Sequence, residues 1–169
     1  GKTLSVIGYG SIGKAVAKIA DAFGMNVLIS TRTTPVDCPY TVTDIETAVK
    51  NADFLTLHCP LTENTNKMIN KNLLSKMKQS AVLINTSRGP VVNEADLAEA
   101  LNNNIISAAY LDVLECEPMK EDTPLRYAKN CVITPHIAWA ASETRKRLLD
   151  IVYNNISGFL NGNIINKVN

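Results

Sequence analysis

Apolar runs two to four residues long alternate along the chain with longer stretches in which apolar positions recur every three or four residues. The first run, residues 5–7, stops at Gly8. Ile12, Val16, Ile19, Ala20 and Phe23 then recur at helical spacing, and Gly24 closes the helix whose apolar stripe they form. Residues 27–29 predict a second strand. Asp44 is placed to cap a short helix carrying Ile45, Ala48 and Val49. A third strand covers 54–57 and ends before Pro60, and a short helix covers 71–77 with Leu73, Leu74 and Met77 inward. Residues 82–84 predict a fourth strand. Asn93 caps a helix with Leu97, Ala98 and Leu101 on one face. Strands at 108–111 and 132–133 follow. A long helix over 142–160 carries a stripe of Leu148, Leu149, Val152, Ile156 and Phe159.

Short apolar strands alternating with helices predict a parallel sheet covered on both faces. Right-handed crossovers then give an α/β, doubly wound parallel six-stranded sheet, the Rossmann-type dinucleotide-binding architecture. At 169 residues the chain suits one domain. The polar stretch 115–122, with Pro118, is too short to separate domains and is expected to be a functional loop.

Composition narrows the function classes. Hydrophobic residues make up 46% and charged residues 20%, which excludes a disordered chain. Seventeen Lys and Arg against 16 Asp and Glu leave a net charge of +1, so no general basic field points to nucleic acid. No apolar run approaches the roughly 20 residues that span a bilayer, so no membrane partner is expected. Cys38, Cys59, Cys116 and Cys131 form no C-x-x-C pair, and with two histidines in the chain no metal site is expected. A reducing, cytoplasmic setting is the default for such a chain. The chain opens at Gly1 directly before an apolar strand and is read as a piece of a longer polypeptide.

Gly8–Tyr9–Gly10–Ser11–Ile12–Gly13 is G-x-G-x-x-G between a predicted strand and a predicted helix, the context that gives this pattern meaning. Gly8 serves the tight turn, Gly10 the approach of a pyrophosphate, and Gly13 close packing of helix on strand. An NAD site commonly carries an acid about 20 residues further on, to hold the ribose hydroxyls. Here the segment is Ser30–Thr31–Arg32–Thr33. The missing carboxylate removes repulsion toward a 2′-phosphate and Arg32 offers it a partner, so NAD or NADP is expected with a lean to NADP.

Ligands of open α/β sheets bind beyond the carboxyl ends of the strands, and the unusual polar residues fall there. His58 and Pro60 follow the third strand, Asn85, Ser87 and Arg88 the fourth, Asp112 and Glu117 the fifth, Pro135 and His136 the sixth. His136 suits acid–base chemistry near neutrality. Glu117 is the carboxylate to orient the ring and favour its protonated form. Arg88 has the planar fork that matches a carboxylate and polarises an adjacent carbonyl. Together they suit a 2-keto acid/2-hydroxy acid pair. His58, beside Pro60, suits the wall of the cofactor pocket.

These motifs resemble the NAD(P)-binding domain of the D-isomer-specific 2-hydroxyacid dehydrogenases over essentially all 169 residues. The resemblance is carried by the glycine loop, by Ala52–Asp53–Phe54–Leu55–Thr56–Leu57–His58–Cys59–Pro60, and by 77–93 with its Asn85–Thr86–Ser87–Arg88–Gly89. It continues through Leu111–Asp112–Val113–Leu114–Glu115–Cys116–Glu117–Pro118 and Thr134–Pro135–His136–Ile137–Ala138–Trp139–Ala140, the last most similar to the glycerate dehydrogenase/hydroxypyruvate reductase branch. The resemblance implies a catalytic set of Arg88, Glu117 and His136, with Asp112 near the nicotinamide carboxamide. It implies a cofactor-binding set of Gly8, Gly10, Ser11, Ile12, Gly13, Thr31, Arg32, His58, Cys59, Pro60, Thr65, Thr86, Ser87, Arg88, Asp112 and His136. The departure is Thr31, where NAD-dependent members carry an acid.

The implied activity is hydride transfer between NAD(P)H and a small 2-keto or 2-hydroxy acid such as hydroxypyruvate or glyoxylate. The family builds its substrate domain from a preceding segment, so residues 1–169 are expected to form the dinucleotide-binding domain. The helix and tail at about 142–169 are expected to reach toward that substrate domain. A homodimer is implied by the resemblance. The competing readings are a non-catalytic, dinucleotide-sensing corepressor of the same fold and a formate-dehydrogenase-like enzyme. An intact Arg88, Glu117 and His136 disfavours the first, and Glu117 disfavours the second.

Overall fold

Each short apolar run forms a strand in the computed structural model, and all the strands pair in parallel. Residues 1–33 and 35–168 are described; Thr34 and Asn169, the end of the expected tail, lie outside the described residues. The strands are β1 (Thr3–Ile7), β2 (Asn26–Ser30), β3 (Thr41–Val42), β4 (Phe54–Leu57), β5 (Val82–Asn85), β6 (Ala108–Leu111) and β7 (Cys131–Ile133). The helices are α1 (Ser11–Ala22), α2 (Ile45–Asn51), α3 (Lys71–Leu74), α4 (Glu94–Asn102) and α5 (Ser142–Leu160). The sheet has the order β3-β2-β1-β4-β5-β6-β7, growing outward both ways from β1 and β4 as a doubly wound sheet does. It therefore has seven strands where six were expected. The added strand, Thr41–Val42, is two residues long and pairs at the edge with Leu28 and Ile29, too short to leave a pattern.

The chain forms two compact units, Gly1–Pro135 and His136–Asn169. In the first, β1 and β4 bury both faces, whereas Tyr110 of β6 and Val132 of β7 are exposed, so the expected cover on both faces does not extend to that end of the sheet in this unit. Leu4, Val6, Val27 and Ile29 meet Ala17 and Ala20 of α1, while Ile7, Leu55, Leu57, Leu83, Ala109 and Leu111 belong to a larger core with α2, α3 and α4. Each fully buried leucine or isoleucine there contributes roughly 1.5–3 kcal/mol relative to exposure. Ser5 sits among them because its hydroxyl donates to Ala48 O at 2.7 Å.

Helix α1 corrects the expected stripe. Its buried face is Gly13, Ala17 and Ala20, whereas Ile12, Ile19 and Phe23 are exposed. Two apolar stripes share this helix, and the one with the smaller side chains lets it lie closest to the sheet. A Cβ on Gly13 would collide with the carbonyl of Gly8. The predicted caps of α2 and α4 form: Asp44 accepts from Thr47 N at 2.9 Å, and Asn93 from Asp96 N at 3.2 Å. Helix α3 is shorter than the expected 71–77, capped by Asn70 and ended at Leu74, although Met77 is still buried.

In the second unit, α5 spans the expected 142–160 and none of its residues is buried. Leu148, Leu149, Val152, Ile156 and Phe159 are all exposed. A turn folds back on its last coil, where Asn163 N donates to Gly158 O at 2.8 Å.

The carboxyl end of β4 generates one prediction. His58 Nε2 lies 2.9 Å from Thr56 Oγ1, and burial holds the imidazole pKa below its ordinary value of 6.5. As pH falls through that ordinary value, the unfolded chain takes up a proton that the folded chain refuses. Stability contributed by the neutral ring is thus fully present above about pH 6.5 and declines as pH falls toward the folded pKa. Urea denaturation across this range should show stability falling with acidification, and His58→Gln should flatten that slope. An unchanged slope in the variant would show that His58 does not set it.

Candidate dinucleotide site and candidate catalytic residues

The sheet register draws one row across the molecule. Ser30, Ile7, Leu57, Asn85, Leu111 and Ile133 are successive partners from β2 to β7. The next residues in each strand are Thr31, Gly8, His58, Thr86, Asp112 and Thr134. The main-chain ladder reaches into this second row: Gly8 N donates to Ser30 O, His58 N to Ile7 O, Asp112 N to Asn85 O and Thr134 N to Leu111 O, at 2.7–2.9 Å. The strand-end residues selected from the sequence in this unit thus leave the sheet along one edge.

The glycine loop stands where the sheet changes its direction of growth, between β1 and β4. Gly8 has φ +95°, and a Cβ there would lie 2.7 Å from His58 C and O and Cys59 N. Only glycine combines that backbone with that approach. Gly10 has open space around its Cβ position. It is the N-cap of α1 without a side-chain cap, and no acidic residue occupies the first turn. The first N–H groups of α1, at Ser11 and Ile12, therefore face no competing carboxylate, and the helix end favours an anion. The residues present fit a dinucleotide pyrophosphate. Ser11 and Ile12 are exposed beside the loop.

Beyond β2, Thr31 is half-buried and Arg32 and Thr33 are exposed, with no acid among them. Tyr9 packs edge-on against Tyr40 at 6.4 Å between ring centroids, and Lys14 Nζ lies 5.5 Å from the Tyr9 ring. Burial and the neighbouring Cys38 push the Tyr9 phenol up to about 12. This group beside the loop was not selected from the sequence, since an aromatic at an x position of G-x-G-x-x-G has no distinguishing pattern.

Beyond β4, Cys59 is buried and its thiol pKa is raised by burial. Pro60 is exposed, and its carbonyl accepts from Thr65 Oγ1 at 2.7 Å, while Thr62 N donates to the same hydroxyl at 2.8 Å. Thr65 therefore closes the loop that follows the strand.

Beyond β5, the buried Asn85, 1% exposed, shapes the turn that presents Arg88. Its Oδ1 accepts from Ser87 N at 3.0 Å and Ser87 Oγ at 2.9 Å, and its Nδ2 donates to Arg88 O at 3.0 Å. Thr86 and Arg88 are exposed, and the guanidinium donates to Ser87 O at 2.6 Å. Gly89 opens a short 3-10 turn, Gly89–Val91, and presses on the main chain of Leu114 and Glu115, where a Cβ would collide. The segments bearing Arg88 and Glu117 therefore touch backbone to backbone.

Beyond β6, Asp112 is 5% exposed and accepts from Thr134 Oγ1. Glu117 is in an exposed loop, and its Oε1 accepts from Leu114 N at 2.9 Å. In the second unit, His136 has φ +52°, the left-handed region that non-glycine residues seldom occupy, and its carbonyl accepts from Trp139 Nε1 at 3.0 Å. Among the described residues, no group of three or more His, Cys, Asp or Glu is placed to hold a metal ion, all four cysteines are free, and no helix is long and apolar enough to cross a membrane.

Residues 1–138 match the family model described as D-isomer specific 2-hydroxyacid dehydrogenase, NAD binding domain. The chain is 46% identical over 174 aligned residues to the hydroxypyruvate reductase of Blautia hydrogenotrophica, covering 100% of this chain and 53% of that protein. It is 44% identical over 170 aligned residues to the glycerate dehydrogenase of Methylorubrum extorquens, covering 99% and 53%. Among solved structures, the TT0316 protein of Thermus thermophilus superposes with a TM-score of 0.91 at 42% identity, over 97% of this chain and 52% of that one. The chain spans about half the length of the curated relatives it matches. With the glycine loop, the strand-end row and the family match in agreement, the chain belongs to the D-isomer-specific 2-hydroxyacid dehydrogenases and carries their NAD-binding domain.

Proposed function

We propose that the chain is the cofactor-binding and acid–base part of an enzyme that reduces a small 2-keto acid, such as hydroxypyruvate or glyoxylate, to the 2-hydroxy acid. The observation that carries the reading is the single strand-end row, which sets Gly8, His58, Thr86 and Asp112 along one edge with the Arg88 and Glu117 segments in main-chain contact. The similarity to a hydroxypyruvate reductase and a glycerate dehydrogenase supports this substrate class.

When bound, a reduced nicotinamide dinucleotide supplies the hydride. The Ser11 and Ile12 N–H groups would hold the pyrophosphate, with Gly10 giving it room. Thr31 and Arg32 would meet the adenosine end, where Arg32 would pair with a 2′-phosphate, a lean toward NADP(H) over NAD(H). Cys59, Pro60 and Thr65 form wall beside the loop, and Thr86, Ser87 and Asp112 orient the nicotinamide end. Arg88 grips the substrate carboxylate with its fork and polarises the neighbouring carbonyl. The carbonyl carbon gains the hydride while its oxygen gains a proton, and His136 donates that proton. Glu117 is the catalytic carboxylate of this reading, as the family resemblance implies. Burial lowers the His58 pKa and so disfavours the protonated ring that a donor needs.

The same reading assigns residues 1–169 to the dinucleotide-binding domain of a longer, cytoplasmic, homodimeric enzyme. The exposed stripe of α5 supports a role for about 142–169 in meeting the substrate domain.

Steady-state kinetics of the full-length enzyme test these roles. His136→Ala should lower kcat for keto-acid reduction by about 10²–10⁴. Arg88→Lys keeps the charge but loses the fork, and should raise KM for the keto acid while lowering kcat. His58→Gln should stay within about tenfold of the native kcat, well short of the loss of a general acid. A His136→Ala enzyme as active as the native one would reject the assignment.

Cofactor choice has its own measurement. A charge-assisted contact to a 2′-phosphate contributes roughly 1.5–3 kcal/mol, or about 10- to 100-fold in affinity. Arg32→Ala should therefore weaken NADP(H) by that factor and leave NAD(H) within about twofold. Equal loss for both dinucleotides, measured by calorimetric titration, would reject the phosphate role.

A further inference from the structure

We propose that Glu94 is a positioning residue for Glu117, acting by clamping both ends of the loop that carries it; the proposal rests on the reading above that Glu117 serves the reaction. Glu94 opens α4 and is 7% exposed, a buried carboxylate in the first turn of that helix. Its Oε1 accepts from Glu115 N at 2.6 Å, and its Oε2 accepts from Thr123 Oγ1 at 2.9 Å. One carboxylate thus holds the residue two before Glu117 and the residue six after it. Lys67 adds an ion pair to the Glu115 side chain at 3.2 Å, an exposed contact of little weight.

The geometry identifies what the clamp must do. Glu117 is in an exposed loop, and Oε1 of its own carboxylate accepts from Leu114 N. That contact ties the side chain to the loop but does not tie the loop to the sheet. Gly89 gives the loop a surface to rest on, since its Cα meets the main chain of Leu114 and Glu115. Contact alone resists compression and not sliding. Hydrogen bonds from Glu94 oppose sliding at both ends, and Glu94 begins α4 only three residues after the 3-10 turn Gly89–Val91 that follows Arg88. The same short stretch, 88–94, therefore carries Arg88 and fixes the loop of Glu117.

A carboxylate suits this task because both partners present donors and it has only acceptors. Gln keeps the shape: its amide oxygen accepts from Glu115 N, and the Thr123 hydroxyl rotates to accept from its NH₂. Ala leaves a partly buried N–H without a partner, and the loop loses its fixed distance from Arg88. Catalytic geometry is sensitive to displacements near 1 Å, whereas the glycine loop does not depend on this clamp.

The test uses the full-length enzyme with hydroxypyruvate or glyoxylate, alongside native protein and Glu117→Gln. Glu94→Ala should lower kcat about 10- to 100-fold, with dinucleotide affinity and keto-acid KM within about twofold. Glu94→Gln should restore kcat to within about threefold of native. Hydrogen exchange should show the Glu115 amide losing protection in Glu94→Ala and retaining it in Glu94→Gln. If Glu94→Ala does not fold, Thr123→Val, which removes one tether, should lower kcat at least about threefold with unchanged dinucleotide affinity. A native enzyme that reduces no 2-keto acid overturns the functional reading and this proposal together. If the native enzyme turns over and Glu117→Gln is impaired, full activity in Glu94→Ala, or in Thr123→Val where that variant stands in, overturns the clamp alone. A Glu94→Gln enzyme as impaired as Glu94→Ala overturns it as well.

Discussion

Backbone packed directly on backbone sets the geometry of the strand-end edge. Gly8 lies on the main chain of His58 and Cys59, Gly13 on the carbonyl of Gly8, and Gly89 on Leu114 and Glu115. At each contact a side chain is omitted, and at Gly8 and Gly89 this lets segments from distant parts of the sequence share a fixed distance. Interiors are packed too densely to absorb a methyl group at such points without displacement. The first contact sets the glycine loop against the end of β4, and the second sets the start of α1 on that loop. The third ties the end of β5 to the loop after β6. Loops that would otherwise have independent positions become one rigid edge, on which side chains can be placed to within a fraction of an ångström.

The fold was legible in the sequence where burial on both faces leaves an unambiguous mark. The run 27–29 is apolar throughout, with Val27 and Ile29 buried and Leu28 half-buried between the helices. Caps were legible for a different reason: Asp44 and Asn93 satisfy helix N–H groups locally and need no tertiary partner. Legibility failed where two answers shared one pattern. Helix α1 offered a stripe of large apolar residues and a stripe of small ones, and periodicity weighs both while close packing selects the small one. Thr41–Val42 is a strand only because β2 offers it an edge, which is a tertiary fact.

At the site, the polar side chains at strand ends stood out because Arg, Asp, Glu and His are unexpected after apolar runs. Their supports did not. Asn85 was visible as a residue at a strand end, but its task, holding Ser87 and Arg88 O, follows from its burial. Glu94 was hidden more thoroughly, since an acid in the first turn of a helix is ordinary and complements the dipole. A helix-length window shows no sign that this acid is buried or that its partners are 21 and 29 residues away.

Burial of Asn85 and Glu94 is costly in a way that bears on what they are for. A buried carboxylate loses several kcal/mol of hydration, and its contacts recover that only when geometry is good. Well-packed apolar residues of similar volume would stabilise such a position as much or more. An apolar residue has no preferred direction, however, and would leave Glu115 N–H and the Thr123 hydroxyl to find other partners. Directional bonds specify one loop position out of many that pack equally well. The Glu94 charge reaches further, contributing with burial to raise the Cys131 thiol to about 11, so the start of β7 lies within its field. The polar groups of this edge thus divide by exposure. Arg88 and Glu117 are exposed, where a ligand can reach them, and Asn85 and Glu94 are buried, where their bonds fix the main chain that carries the others. Conformational precision, rather than stability, is what a buried acceptor adds here that a leucine could not.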